Sequence, residues 1–196
     1  MKKTIIFLQF VNLLFMISAF AVELPKNKEF IVKECYDQLA NKRIKINIVV
    51  KFGDSGGWVN ENAFLRVFSV DPNNKREKEI GQVDLYALSI PLQMWRVRLK
   101  SSTEIAYLIL VTGHRSRAIV VKITLQGATN IFEEVGFDFF KEEVLDVDGD
   151  GVDEIILYRG KETEKTTKEI YKYRNGTFEK ISQSADLIYE WLPSCR

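Results

Sequence analysis

Residues 146–155 read Asp-Val-Asp-Gly-Asp-Gly-Val-Asp-Glu-Ile, and the types and spacing of these side chains suit the capture of a hard cation. Calcium takes six to eight oxygen ligands at about 2.3 to 2.6 Å. Carboxylates at alternate positions of a tightly turning loop converge on one point, and Asp146, Asp148 and Asp150 hold those positions. Gly151 permits the backbone reversal, the carbonyl of Val152 would turn inward, and Glu154 would close the shell. The competing reading is an acidic turn held by side-chain to backbone hydrogen bonds with no metal. Five acids in one loop, counting Asp153, repel one another, and that repulsion favours a bound cation.

In a helix-flanked EF-hand the twelfth loop position is a bidentate acid. Here it is Leu157, inside an apolar run, so the loop is not an EF-hand. The stretch 145–156, with a strand on its far side, closely resembles the calcium loop of the FG-GAP and VCBS repeats, blade units of integrin-type β-propellers and of many exported bacterial proteins. The resemblance covers this loop and, loosely, the flanking strands out to Ile181. It implies that the first, third, fifth and ninth loop residues give side-chain oxygens and the seventh its carbonyl, here Asp146, Asp148, Asp150, Glu154 and Val152. Glu at the ninth position departs from the commoner Asp. The resemblance also implies a binding or scaffolding role toward a protein or carbohydrate. An internal comparison supplies a control: setting Glu104-Ile105 over Glu154-Ile155 places Arg96, Arg98 and Lys100 where the three aspartates stand. That earlier loop cannot bind a cation.

Other chemistry is suggested by short motifs but lacks partners. Gly53-Asp54-Ser55-Gly56-Gly57 matches the nucleophile motif of chymotrypsin-like serine proteases, yet no His precedes Ser55 and the sole His114 lies downstream. A small periplasmic hydrolase using Ser55 is therefore the alternative function. His114 has no second His or Cys for a metal site and reads as a loop residue. No glycine-rich phosphate loop leads into a helix. Trp58, Trp95 and Trp191 read as core or sheet-face packing, with Trp58 on a glycine-rich loop that could touch a ligand.

The elements that must position these residues are strands. Residues 44–50, Ile-Lys-Ile-Asn-Ile-Val-Val, alternate apolar and polar as a half-buried strand does. Further runs follow at 63–70, 93–99, 105–111, 118–125, 155–158 and 169–173, and only 184–191 has the pattern of a short helix. Residues 63–81 lie over 118–136 without a gap, pairing Phe64 with Ile119, Leu65 with Val120 and Phe68 with Ile123. A hairpin at Asn175-Gly176 repeats the one at Gln126-Gly127. The expected fold is all-β, with antiparallel blade-like repeats of roughly 50 residues at about 44–100, 101–151 and 152–190, or alternatively a β-sandwich. Three blades are too few for a closed propeller. An open stack, a sandwich or pairing with a second copy would each cover the end faces, and the N-terminal strand at 30–38 is expected to pair with the last unit.

Lys2 and Lys3 precede the apolar stretch 5–17 and then Ala19-Phe20-Ala21, the pattern of a signal peptide cleaved after Ala21. Export to the periplasm or the outside follows, with residues 22–196 as one β-rich domain that carries no integral membrane span. Export also allows Cys35 and Cys195, the only two cysteines, to pair in a disulfide, the alternative being two free thiols. The 196 residues are 46% apolar with a formal net charge of +1, which excludes a disordered chain and gives no field to gather nucleic acid.

Overall fold

A computed structural model describes residues 29–52, 60–85, 91–111, 116–136, 139–160 and 166–187. They form twelve strands and no helix: β1 (Glu29–Leu39), β2 (Lys42–Phe52), β3 (Asn60–Val70), β4 (Glu77–Asp84), β5 (Pro91–Val97), β6 (Ile105–Val111), β7 (Ser116–Thr124), β8 (Gly127–Gly136), β9 (Phe139–Leu145), β10 (Glu154–Arg159), β11 (Thr166–Arg174) and β12 (Thr177–Leu187). Each consecutive set of four makes one antiparallel sheet, in the orders β1-β2-β3-β4, β5-β6-β7-β8 and β9-β10-β11-β12. The all-β expectation is met by three blade-like sheets.

Why the sheets stack follows from which faces are apolar. In β2, Ile44, Ile46, Ile48 and Val50 point one way and are at most 1% exposed, the period of a strand with one buried face. They pack with Leu65 and Val67 of β3 against Ile109, Ile119, Val121 and Ile123 of the second sheet. β6 is different: all seven of its residues, Ile-Ala-Tyr-Leu-Ile-Leu-Val, are buried. Such an unbroken apolar run suits a strand covered on both sides. Its odd-numbered residues, with Tyr107 among them, face the first sheet, whereas Ala106, Leu108 and Leu110 join Ile155, Leu157, Tyr171 and Phe178 of the third. The second sheet is thus the middle layer of three. Phe132 anchors the second interface, with its ring 4.9 Å from Tyr171 and 5.9 Å from Phe178, both edge-on.

Polar groups fix the layers relative to each other. The Tyr107 hydroxyl donates to Asp37 at 2.6 Å, and Arg96 reaches the same carboxylate at 3.1 Å, so β1 is tied to the second sheet. Between the second and third sheets, Arg159 donates to Glu134 of β8 and to Glu169 of β11, each at 2.6 Å, and Glu169 also accepts from Tyr171 and Lys180. Glu169 is 4% exposed, and these donors hold its carboxyl below the usual carboxylate range against the opposing effect of burial. A charge buried this far is stable only with such a full set of partners. Close approach adds a steric constraint at Gly81, where a Cβ would meet the Ala128 backbone nitrogen at 2.5 Å.

Three features differ from the sequence expectations. The N-terminal strand pairs with β2 along almost its whole length, from Glu29 opposite Lys51 to Leu39 opposite Lys42, and so belongs to the first sheet and not the last. A two-residue turn with both residues at positive φ, Ala40 (47°) and Asn41 (63°), makes that hairpin, and alanine gives no sequence signal for it. Residues 184–187 continue β12 as strand where a helix was expected, with Ser184 opposite Lys168 and Leu187 opposite Thr166. The sheets also begin one strand earlier than the sequence units, because β5 and β9 join the strands that follow them.

Candidate metal centre

The acidic stretch joins β9 to β10 at one end of the third sheet, and the register of the two strands sets its position. Leu145 lies opposite Glu154, so the loop leaves and re-enters the sheet at neighbouring points and must turn back tightly between them. Gly149 (φ 77°) and Gly151 (φ 87°) supply the left-handed residues that this reversal requires. Asp146 organises the turn: its Oδ1 accepts from the amides of Gly149 and Asp150 at 2.7 and 3.1 Å, and its Oδ2 accepts from Gly151 at 2.9 Å. Asp148 Oδ1 and Asp150 Oδ1 each accept from the amide two residues on, those of Asp150 and Val152. The amide of Val147 donates to Glu154 Oε2 at 2.8 Å.

This leaves Asp148 Oδ2, Asp150 Oδ2 and Glu154 Oε1 unused by the loop backbone. All three are met by a residue that the loop sequence does not contain. Lys172 of β11 pairs with Asp148, lies 2.8 Å from Asp150 Oδ2, and sits 3.4 Å from Glu154 Oε1. Its place follows from the β10–β11 register, in which Ile155 opposes Tyr171 and the next pair outward is therefore Glu154 and Lys172. The two carboxylates of Asp148 and Asp150 push the lysine further up from its ordinary value, and the ammonium together with the Val152 amide holds Asp150 down.

The charge balance corrects one step of the sequence argument. Repulsion among the acids does not by itself demand a metal, since Lys172 and Arg98 bring positive charge from outside the loop. Arg98, just past β5, makes a reciprocal latch: its amide donates to Asp153 Oδ2 at 2.6 Å, its guanidinium donates to Asp153 Oδ1 at 3.0 Å, and the Asp153 amide donates back to the Arg98 carbonyl at 2.9 Å. Arg98 also lies 3.5 Å from Asp146 Oδ2. Asp153 thus serves the joint between two sheets and does not face the cluster's centre.

Glu154 is the most buried acid of the cluster, and its Oε1 has the Lys172 ammonium at 3.4 Å as its partner. The residue is 1% exposed and its Oε1 is buried without a hydrogen bond. The ion pair with Lys172 offsets part of the cost of burying that oxygen without a hydrogen bond. One carboxylate oxygen each of Asp146, Asp148 and Glu154 lie within 4.8 Å of one another. Oxygens bound to one calcium at about 2.3 to 2.6 Å stand at most about 5 Å apart, so the three fit a common ion. Asp150 borders the cluster through its oxygen on Lys172. Val152 is buried at 7% exposure and is tied through its amide to Asp150.

Of the remaining sequence candidates, Cys35 is half-buried on β1 with no disulfide partner among the described residues, burial raising its thiol, and Cys195, its proposed partner, lies outside them. Ser55, His114, Trp58 and Trp191 lie outside them as well. Trp95 packs, partly buried, against the second core. No described helix is long and apolar enough to cross a membrane. Comparison with models of known protein families gives no match, and comparison with curated proteins gives none.

Proposed function

We propose that this chain is an exported β-repeat protein that binds one calcium ion through Asp146, Asp148, Asp150, Glu154 and the Val152 carbonyl, and that acts as a binding or scaffolding module for a protein or carbohydrate. The observation that carries the metal reading is that Asp146, Asp148 and the buried Glu154 each bring a carboxylate oxygen within 4.8 Å of the others, with Glu154 Oε1 lacking a hydrogen bond and met by the Lys172 ammonium at 3.4 Å. The ion's role is structural. It ties the turn between β9 and β10, and through Asp146 and the adjoining Asp153 latch it stiffens the joint between the middle and third sheets.

Support for the binding role comes from the opposite end of the stack. Among the described residues β1 is paired on one side only, and it exposes Ile31 (56%), Val32 (41%) and Tyr36 (46%). Apolar side chains along an unpaired strand edge are the features a docking strand or loop uses. Ser55 and His114, on which the hydrolase alternative depends, lie outside the described residues. Thermal melting in chelator and in millimolar calcium tests the proposal, because a ligand that binds only the folded chain raises its stability by about 2.7 kcal/mol at a hundredfold excess over Kd. An unchanged midpoint removes the metal from the account. Export is checked by N-terminal sequencing of the secreted or periplasmic product, expected to begin at Val22.

A further inference from the structure

Lys172 lies against Asp148 and Glu154, two of the carboxylates that a metal ion in this cluster would share. Its ammonium is shared by Asp148, Asp150 and Glu154, each of which has its other oxygen engaged by a loop amide. The oxygens that face Lys172 are therefore the ones left over once the turn has been built. The lysine is not anchored to the loop by chain connectivity: it belongs to β11, on the strand next to Glu154, and reaches the cluster across the sheet on a flexible four-carbon stem. A calcium ion bonded to Asp148 Oδ2 and Glu154 Oε1 would compete with the ammonium for the same two oxygens and repel it.

We propose that Lys172 is a tethered counter-cation, which holds the acidic loop folded without metal and must swing out into solvent when a divalent cation enters. This inference rests on the calcium reading above and specifies how the site is regulated. Two consequences follow from competition for the same oxygens. The loop keeps its shape at low calcium, because the ammonium offsets part of the repulsion among Asp146, Asp148, Asp150 and Glu154. Calcium affinity is weakened by the fraction of time the lysine occupies the centre, since only the open form binds. A loop rich in carboxylates is thereby set toward the weak end of calcium affinities, the range of extracellular modules, where the metal concentration outside a cell decides its occupancy.

Two measurements on the folded full chain test this. Calorimetric titration with calcium is expected to show K172Q binding on the order of tenfold or more tighter than the wild type, because the competitor is gone. Amine acetylation followed by mass spectrometry reads the wild-type protein directly and does not depend on the variant folding. Lys172 is expected to be protected in chelator and to label faster in saturating calcium, the reverse of simple stabilisation by the metal. If calcium binds both proteins with one affinity and leaves the labelling of Lys172 unchanged, the tethered-cation proposal fails while the calcium reading stands. Absence of binding by either protein at millimolar calcium overturns the calcium reading and this inference with it.

Discussion

The connection between β5 and β6 and the connection between β9 and β10 hold the same place in neighbouring sheets, yet they carry opposite charge. The first is short, polar and basic. It closes on itself, with the Thr103 amide donating to Ser101 Oγ at 3.2 Å and the two hydroxyls 2.9 Å apart. In the second, Asp146, Asp148, Asp150 and Glu154 all accept amides of the turn, and the last three still have one oxygen each left over, turned to Lys172. A tight connection at this point of a blade plainly does not require acids. The surplus oxygens in the second one serve something other than the turn: they pair with the Lys172 ammonium, and they are the oxygens that the proposed metal would take. The pair also meets physically, since Arg98 from the basic connection latches Asp153 of the acidic one.

That contrast can be broken at several points. Glu154→Gln is expected to have the largest effect: melting in calcium and in chelator should give the same midpoint, abolishing a gain of about 3 kcal/mol at saturating metal. The matching change at the basic connection, Glu104→Gln, should leave the calcium response intact. Asp153→Ala should lower stability by about 1 to 3 kcal/mol in denaturant titration, whether or not calcium is present, because the Arg98 amide and guanidinium both lose their acceptor.

The strands leading into the two connections differ as well. Glu142 of β9 stands at the position that the fifty-residue offset gives to Leu92 of β5. It lies opposite Leu157, on the face turned to the middle sheet, and burial raises its carboxyl to about 7 despite the nearby Lys141. A carboxyl raised on folding keeps its proton longer in the folded chain. Stability therefore falls as pH rises from about 4.5 to about 7 and is flat above that. Glu142→Gln removes this loss, so the variant should gain about 1 kcal/mol over the wild type at pH 8, the figure being discounted for the solvent that still reaches the half-buried group. At pH 4 the two should melt alike. The smallest effect is expected at Ser101→Ala, at about 0.5 to 1 kcal/mol and with no change in calcium response.

How much of this was legible in the sequence depends on how far each determinant reaches along the chain. β6 was, residue for residue, because seven consecutive apolar positions from Ile105 to Val111 mark a strand by themselves. The Asn175-Gly176 turn was too, and both residues have positive φ, at 52° and 90°. The Ala40-Asn41 turn was not, since the sheet forces alanine into a conformation it rarely adopts alone. In the site, Asp146, Asp148 and Glu154 could be named from their spacing, because the loop is local. Lys172 could not, as its place depends on the β10–β11 register and nothing within the acidic stretch encodes it. Arg98 was visible as part of a loop unable to bind cations, while its grip on Asp153 depends on how two sheets stack. Local pattern thus brings out the carboxylates, and only tertiary placement reveals the charges that pair with them.

Anomalous diffraction from crystals grown in millimolar calcium tests the central claim most directly. The account predicts one peak at about 2.3 to 2.6 Å from carboxylate oxygens of Asp146, Asp148 and Glu154, with the Lys172 ammonium withdrawn from between them. A map with no peak there, and with the lysine still seated among the carboxylates, would contradict it.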